Sequence, residues 1–287
     1  MIATLLSGLA LGGVYTLVAI GYNVVWLTTR AVNFAQGGFV VAGMFVTVTL
    51  YHRGVPVALI FLILAAAGAV LAAVEYSVGV RPVQRRGDHA ELVTTVGALT
   101  VIQGVILLLV SQDVQRVKSL FPETFLDVPG GRITPAELAL IILAVVAGLG
   151  AHAWTRHTRS GLAARGVSED RETAMVLGVN TTRFSYLTFA ASGALGFAVA
   201  PFVGPKVFAV VAMATVLSIK GFVVLAVGGL GNNLGALIGG LGVGFLELIV
   251  AWQFGTAWQN TAVFAVFIVV MLVRPRGIFG EVKERTV

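Results

Sequence analysis

Cysteine is absent from the 287 residues, which excludes disulfides, thiol chemistry and Cys-ligated zinc. Charge is scarce too. Asp, Glu, Lys and Arg make up 11% of the chain, against about 25% in a soluble domain. So few charges cannot wet a surface of this size, so most of it must face lipid. The 13 acids nowhere form the dense cluster that a proton or sodium relay needs. His52, His89, His152 and His157 are scattered near the ends of apolar segments. With no HExxH and no GxSxG, the chain offers no catalytic set and no metal site. The formal charge of +6 comes from basic residues spread between apolar segments, where they set orientation; it does not point to nucleic acid. Met1–Leu11 lacks a basic n-region and runs on as a span, so no cleavable signal is expected.

What is present is hydrocarbon and glycine. Hydrophobic residues make up 57% of the chain, with 35 glycines and a mean hydropathy of +0.95. Small residues let membrane helices approach closely. Apolar segments fall at 3–27, 33–51, 55–80, 90–111, 134–154, 184–204, 207–229, 232–252 and 259–273. The expected fold is an all-α integral membrane protein. It is a polytopic helical bundle of about 8–10 spans, with broken or re-entrant helices. Segment 207–229 is interrupted by Lys220, and 259–273 is short. With the polar stretch Arg156–Arg183 placed inside, 13 Lys and Arg fall inside and 5 outside, Lys220 being intramembrane. The excess puts the N-terminus outside and the C-terminus in the cytoplasm. A single transmembrane domain over 1–287 follows, with a cytoplasmic loop at 156–183 and an irregular external loop at 112–133.

The 156–183 loop carries a helix signal. Ser168 is a fitting N-cap, and Glu169 and Asp170 place negative charge on the first turn. Ala174–Leu177 give an apolar end, and Gly178 suits a C′ stop. Such a capped helix at a membrane surface is either a contact element or a plain reversal of the chain. Three other motifs stand out. Asn33-Phe34-Ala35-Gln36-Gly37-Gly38 opens the second segment. It reads as helix capping by Asn33 with close packing at Gly37, or as a non-helical polar spot on a permeation path. The run around Gly228, Gly229 and Asn232 lacks the Gly-Lys-Ser/Thr of a phosphate cradle; it is a helix break, a cytoplasmic turn, or both. Among intramembrane charges, Glu75 lies near Arg81 and is expected to snorkel as a structural charge. Lys220 and Glu247 lie deeper and are expected to be neutralised by neighbours, either each other or backbone carbonyls at a break in 207–229, with Glu247 a structural charge.

Taken in order, these motifs resemble bacterial branched-chain amino-acid ABC transporter permeases over nearly the whole chain. The residues are Gly8–Gly21, Asn33–Gly37, Arg81-Pro82-Val83 after Glu75, Ser160-Gly161 with Glu169-Asp170, Ala174 and Leu177–Asn180. Lys220-Gly221-Phe222, Gly228–Gly231, Gly235-Ala236, Gly239-Gly240 and Arg274–Gly280 complete the set. The likeness is closer to the first of that family's two permease subunits. It implies a multi-pass permease domain in a bacterial cytoplasmic (inner) membrane, itself not an enzyme. Its implied partners are a second homologous permease, two cytoplasmic ATPases and an external substrate-binding protein. ATP and Mg would sit on the ATPases, with no cofactor on this chain. ATPase coupling would fall to Arg165, Glu169, Asp170, Arg171, Glu172, Ala174, Met175, Leu177 and Gly178. The substrate path would involve Asn33, Gln36, Gly37, Gly38, Lys220, Gly228 and Gly229. Where the family often has His, Gly and an acid, this chain has Gln36, Gly37 and Gly38, which leaves urea, amides or aromatic acids open as cargo. From a different class, an ion-coupled secondary transporter would need an ion site and no ATPase.

Overall fold

The computed structural model describes residues 2–84, 90–110, 114–122, 124–128 and 131–280. Arg85, Arg86, Lys283, Arg285 and parts of the 112–133 loop, including Glu123, lie outside the described residues. Among the described residues the regular structure is helical except for a two-stranded antiparallel hairpin, Leu126–Val128 (β1) with Gly131–Ile133 (β2), and a single bridge between Gln115 and Ala209. The 112–133 loop, expected to be irregular, thus contains regular pairing, with Arg132 on Asp127 across the strands.

Twelve α-helices follow from the apolar segments and the polar loop between them. They are Ile2–Thr29 (α1), Gln36–His52 (α2), Val57–Glu75 (α3), Ala90–Leu109 (α4), Pro135–His157 (α5) and Arg159–Glu169 (α6). Arg171–Val176 (α7), Thr181–Ala198 (α8), Ala200–Val207 (α9), Met213–Gly228 (α10), Asn233–Phe254 (α11) and Gln259–Val273 (α12) complete them. Among the described residues, six helices are long and apolar enough to cross a membrane, or seven if α8 and α9, bent by 47° at their junction, count as one. This is fewer than the about 8–10 spans expected from segment lengths. The shortfall lies mainly in α2 and α10, of 17 and 16 residues. At 1.5 Å per residue both fall short of a hydrocarbon core of about 30 Å. Both are largely enclosed by other helices, so neither has to match the bilayer by itself. The α8–α9 bend has a local cause: Pro201 sits in the first turn of α9, where its missing N–H is tolerated.

α1 is the axis of the bundle. Its apolar stretch is 72% buried, whereas that of α12 is 6% buried. α1 meets α11 backbone to backbone. A Cβ on Gly12 would come within 2.6 Å of the Gly240 carbonyl oxygen, and one on Gly244 within 2.2 Å of the Gly12 nitrogen. α3 and α8 cross in the same way: a Cβ on either Gly68 or Gly193 would lie 2.2 Å from the other's carbonyl oxygen. Without a hydrophobic drive between helices in lipid, such close approach supplies the dispersion contacts that hold the bundle. The outer faces, such as Leu108, Leu272 and Val273, remain apolar and exposed.

Candidate functional site

Three polar places hold the residues singled out in the sequence. The first lies at the start of α2. Helix α1 ends at Thr29, Arg30 turns the chain at φ 57°, and residues 31–35 stay non-helical up to Gln36. Asn33 is not the N-cap; Ala35 holds that position without a side-chain cap. Instead Asn33 Oδ1 accepts from the Ala35 N–H at 2.9 Å and Nδ2 donates to Glu75 Oε2 at 2.8 Å. Glu75 therefore does not snorkel towards Arg81. It is buried at the end of α3, where the helix passes into a π turn, Tyr76–Val80. Its Oε1 has no hydrogen-bond partner among the described residues. Asn33 spends one donor on an acid 42 positions away, which sequence proximity to Arg81 concealed.

Gln36 is equally enclosed. Its Nε2 donates to the Ser192 carbonyl at 3.2 Å, and the Ser192 hydroxyl donates to Gln36 Oε1 at 2.6 Å. The amide sits against Gly21, where a Cβ would fall 2.1 Å from Gln36 Nε2. Gly37 gives close packing as expected: a Cβ there would lie 2.4 Å from Ser218 Oγ. Gly38 faces Leu99 and Ile102 of α4. The structure thus gathers Asn33, Gln36, Gly37 and Glu75 under one helix start, with every polar group but Glu75 Oε1 held by protein.

The second place is in mid-bundle. Lys220 of α10 forms an ion pair with Glu247 of α11. Tyr15 of α1 closes the triangle: its hydroxyl donates to Glu247 Oε2 at 2.8 Å and accepts from Lys220 Nζ at 3.2 Å. The pairing matches the expectation, but not its setting. No break occurs at Lys220, since α10 runs unbroken from Met213 to Gly228. The break comes next, at Gly229–Asn232. Gly228 packs on Gly235 too closely for any Cβ, and Gly229 takes φ 100°. Asn232 then caps α11, accepting from the Gly235 N–H at 3.0 Å, and donates to the Phe279 carbonyl at 2.8 Å. The Arg274–Gly280 segment thereby folds over the break, with the Ile278 N–H on the Val227 carbonyl at 2.8 Å. Helix break and tight turn are the same feature.

The third place is the polar loop between α5 and α8. It holds two helices, not one over Glu169–Leu177. Thr158 caps α6 by accepting from the Gly161 N–H, and Asp170 caps α7 by accepting from the Glu172 and Thr173 N–H groups. Ser168 is no cap; its hydroxyl returns to the Arg165 carbonyl inside α6. Asp170 outcompetes it because a cap must stand outside helical φ/ψ, and the break falls at 170. Gly178, at φ 88°, ends the element as expected. Arg30 bonds the Ser168 carbonyl and Arg171 the Thr28 carbonyl, tying both helices to the end of α1. Glu169, Asp170 and Glu172 are exposed or half-exposed. Ala174 is buried against its own protein, so it cannot enter a partner's groove. The apolar surface is instead Met175, Val176 and Leu177, which are 46%, 87% and 78% exposed. Val176 lies within the apolar end read from Ala174–Leu177 but is not among the residues that the resemblance assigns to coupling.

A family model described as branched-chain amino acid transport system, permease component, matches residues 4–273. The chain is similar to the high-affinity branched-chain amino acid transport system permease protein LivH of Escherichia coli K12, 29% identical over 294 residues, covering 96% of this chain and 94% of that one. It is similar to BraD, which carries the same description, of Pseudomonas aeruginosa, 28% identical over 293 residues, covering 96% and 95%. A probable branched-chain amino acid transport permease protein LivH of Methanocaldococcus jannaschii is 26% identical over 281 residues, covering 92% and 88%. No solved structure matches.

Proposed function

Because the chain belongs to the branched-chain amino acid transport system permease family, we propose that it moves branched-chain or similar small amphipathic amino acids inward through a bacterial cytoplasmic membrane. It is a membrane permease component, and the work of ATP hydrolysis falls to partner subunits that bind ATP and Mg. A second homologous permease, two cytoplasmic ATPases and an external binding protein complete the assembly. The N-terminus faces outward and the C-terminus inward, as the excess of basic residues at the α6–α7 end requires. The external part of the 112–133 loop then lies at the opposite end.

The observation that carries the mechanism is the exposed Met175–Val176–Leu177 tip on a loop fastened to α1 and leading directly into α8. An apolar tip of this kind is wasted in water, yet it fits a groove on a soluble motor. The acids Glu169, Asp170 and Glu172 supply a polar rim beside it. Movement of the tip passes through Arg30 and Arg171 to the end of α1, and through Gly178 to α8. Those two helices enclose Gln36 through Gly21 and Ser192. A push at the tip therefore reaches the polar start of α2, where Asn33, Gln36, Gly37 and Gly38 adjoin the translocation path together with Lys220 and the Gly228-Gly229 break. The test is the double change Val176→Asp with Leu177→Asp. It leaves insertion and abundance normal, while ATPase association and ATP-driven uptake fall. Normal uptake by an inserted variant would remove the coupling role.

A further inference from the structure

We infer that the chain binds a phosphate ester that also carries a hydroxyl, in a cavity at the α6 end of the bundle. There α1, α5 and α6 meet the start of α11 and the Arg274–Gly280 segment. The cavity has a volume of about 370 Å³, within the range of about 300–1,000 Å³ typical of small-molecule sites. Trp26 and Arg30 line it from the end of α1, Arg156 from α5, Asn233 from α11 and Arg276 from the last segment. Glu169 is the one acid among the described residues that line it. The inference goes beyond the proposed transport role and needs neither its cargo nor its direction.

Exposed arginines at the end of a membrane bundle are ordinary, because they set its orientation. Asn233 is not ordinary. It is 2% exposed, and neither its amide nitrogen nor its amide oxygen has a hydrogen-bond partner among the described residues. Buried side-chain amides are normally satisfied, and leaving both ends of one unmet is costly. Its neighbour Asn232 gives the contrast, since it accepts from the Gly235 N–H and donates to the Phe279 carbonyl. A phosphate oxygen meets half of what Asn233 lacks, by accepting from its amide nitrogen. A hydroxyl on the same ligand meets the other half, by donating to its amide oxygen. Asn233 also opens the 22-residue α11, where the helix dipole favours negative charge. Arg156 and Arg276 have no side-chain partner among the described residues. Their planar guanidinium groups suit phosphate oxygens, which they can grip two at a time. Arg30 lies over the Trp26 ring at 5.7 Å and gives one bond to the Ser168 carbonyl, so it is oriented and keeps donors over. Arg165 also lines the cavity but is already engaged, so it adds charge and is assigned no contact. Basic pockets between membrane helices hold phospholipid headgroups, and a soluble phosphate ester offers the same groups.

The absence of cysteine gives a direct test. Leu230 is 39% exposed and lines the cavity, so Leu230→Cys places one thiol on this chain at the cavity wall. Its alkylation by N-ethylmaleimide, an uncharged reagent, is followed on this chain in the complex with its partner subunits, held in phosphatidylcholine nanodiscs. Replacing about 30 mol% of that lipid by phosphatidylglycerol offers the ester as a headgroup. Adding about 10 mM glycerol 3-phosphate offers it free, enough to fill a site of roughly millimolar affinity to nine-tenths. Labelling should slow by roughly tenfold in at least one of these arms; the first identifies a lipid and the second a soluble ester. About 10 mM glycerol, which has hydroxyls and no phosphate, should leave the rate within about twofold. Slowing in neither phosphate arm, or equal slowing by glycerol, overturns the site. Anionic lipid also changes the membrane surface, so the same arms are run on two variants of the Leu230→Cys chain. One carries Arg156→Gln with Arg276→Gln, and the other carries Asn233→Leu. The second removes an orphaned amide at similar volume, so the chain should fold at least as well as before. Protection should fall below about twofold in both. Protection that persists at the unaltered level in either variant also overturns the site.

Discussion

Lys220–Glu247 and Lys206–Glu137 are the same pair of side chains in two settings. In the first the side chains are 9% and 4% exposed, and in the second 23% and 17%. The first is closed by Tyr15 and walled in by α1, α10 and α11, so in this conformation each charge meets only the other two groups. The second lies beside a cleft, with Glu137 held by Ser7 and by Thr134 in the capping box of α5. Burying a pair costs desolvation that the attraction barely offsets. The mid-bundle pair therefore acts as a lock on how three helices fit together. The Lys206–Glu137 pair keeps part of its solvation and is held by Ser7 and Thr134 at the start of α5. The same residue types thus sit sealed in one place and partly solvated in the other.

The largest effect should come from stranding a charge in the buried pair. Lys220→Met leaves Glu247 alone in the bundle and should cost about 3–5 kcal/mol, read as loss of mature protein in the membrane. Combining it with Glu247→Leu should restore most of the abundance. Equal loss from the single and double changes would mean that the pair is not a lock. Tyr15→Phe comes next. It removes one donor to Glu247 and one acceptor for Lys220, a cost of about 1–3 kcal/mol for buried groups left unsatisfied. A lowered thermal midpoint of the purified complex is the expected reading, and an unchanged midpoint would show that the ion pair suffices without Tyr15. Asn33→Ala leaves the buried Glu75 without its hydrogen-bond donor, at a cost in the same range of about 1–3 kcal/mol. Glu75→Gln in the Asn33→Ala background should recover part of it. The smallest effect belongs to Lys206→Met, which should reduce abundance less than Lys220→Met, because the pair is partly solvated and Glu137 keeps Ser7 and Thr134 as donors. A collapse as severe as that of Lys220→Met would erase the contrast between the two settings.

Much of this was legible in the residues, and the gaps have physical causes. Every apolar segment became at least one helix, because long hydrocarbon runs leave lipid-exposed backbone no other way to satisfy itself. The Lys220–Glu247 pairing was legible because two deep charges of opposite sign must find partners. The Asn33–Glu75 bond was not, because it joins groups 42 positions apart while Arg81 offered a nearer and wrong partner. The Lys206 cluster draws on Ser7 and Glu137, 199 and 69 positions away, and nothing local announces it. In the 156–183 loop the presence of helix was legible but its division was not. Ser168 and Asp170 are both good caps by residue type, and only the packing of α6 on α1 and α5 shows which one stands outside the helix. Six or seven helices meet the length of a span, against the about 8–10 expected, because α2 and α10 are short and enclosed by other helices.

The central claim is that this permease is driven through the tip at Met175–Leu177, and uptake is its most direct measure. Liposomes carrying the chain with its partner subunits, supplied with ATP inside and with loaded binding protein and labelled leucine outside, should accumulate leucine. The Val176→Asp, Leu177→Asp variant, present at equal amount, should accumulate it at least about tenfold more slowly, a loss worth about 1.4 kcal/mol or more. Uptake at the unaltered rate by that variant, or uptake by the unaltered complex that needs no ATP, would contradict the account.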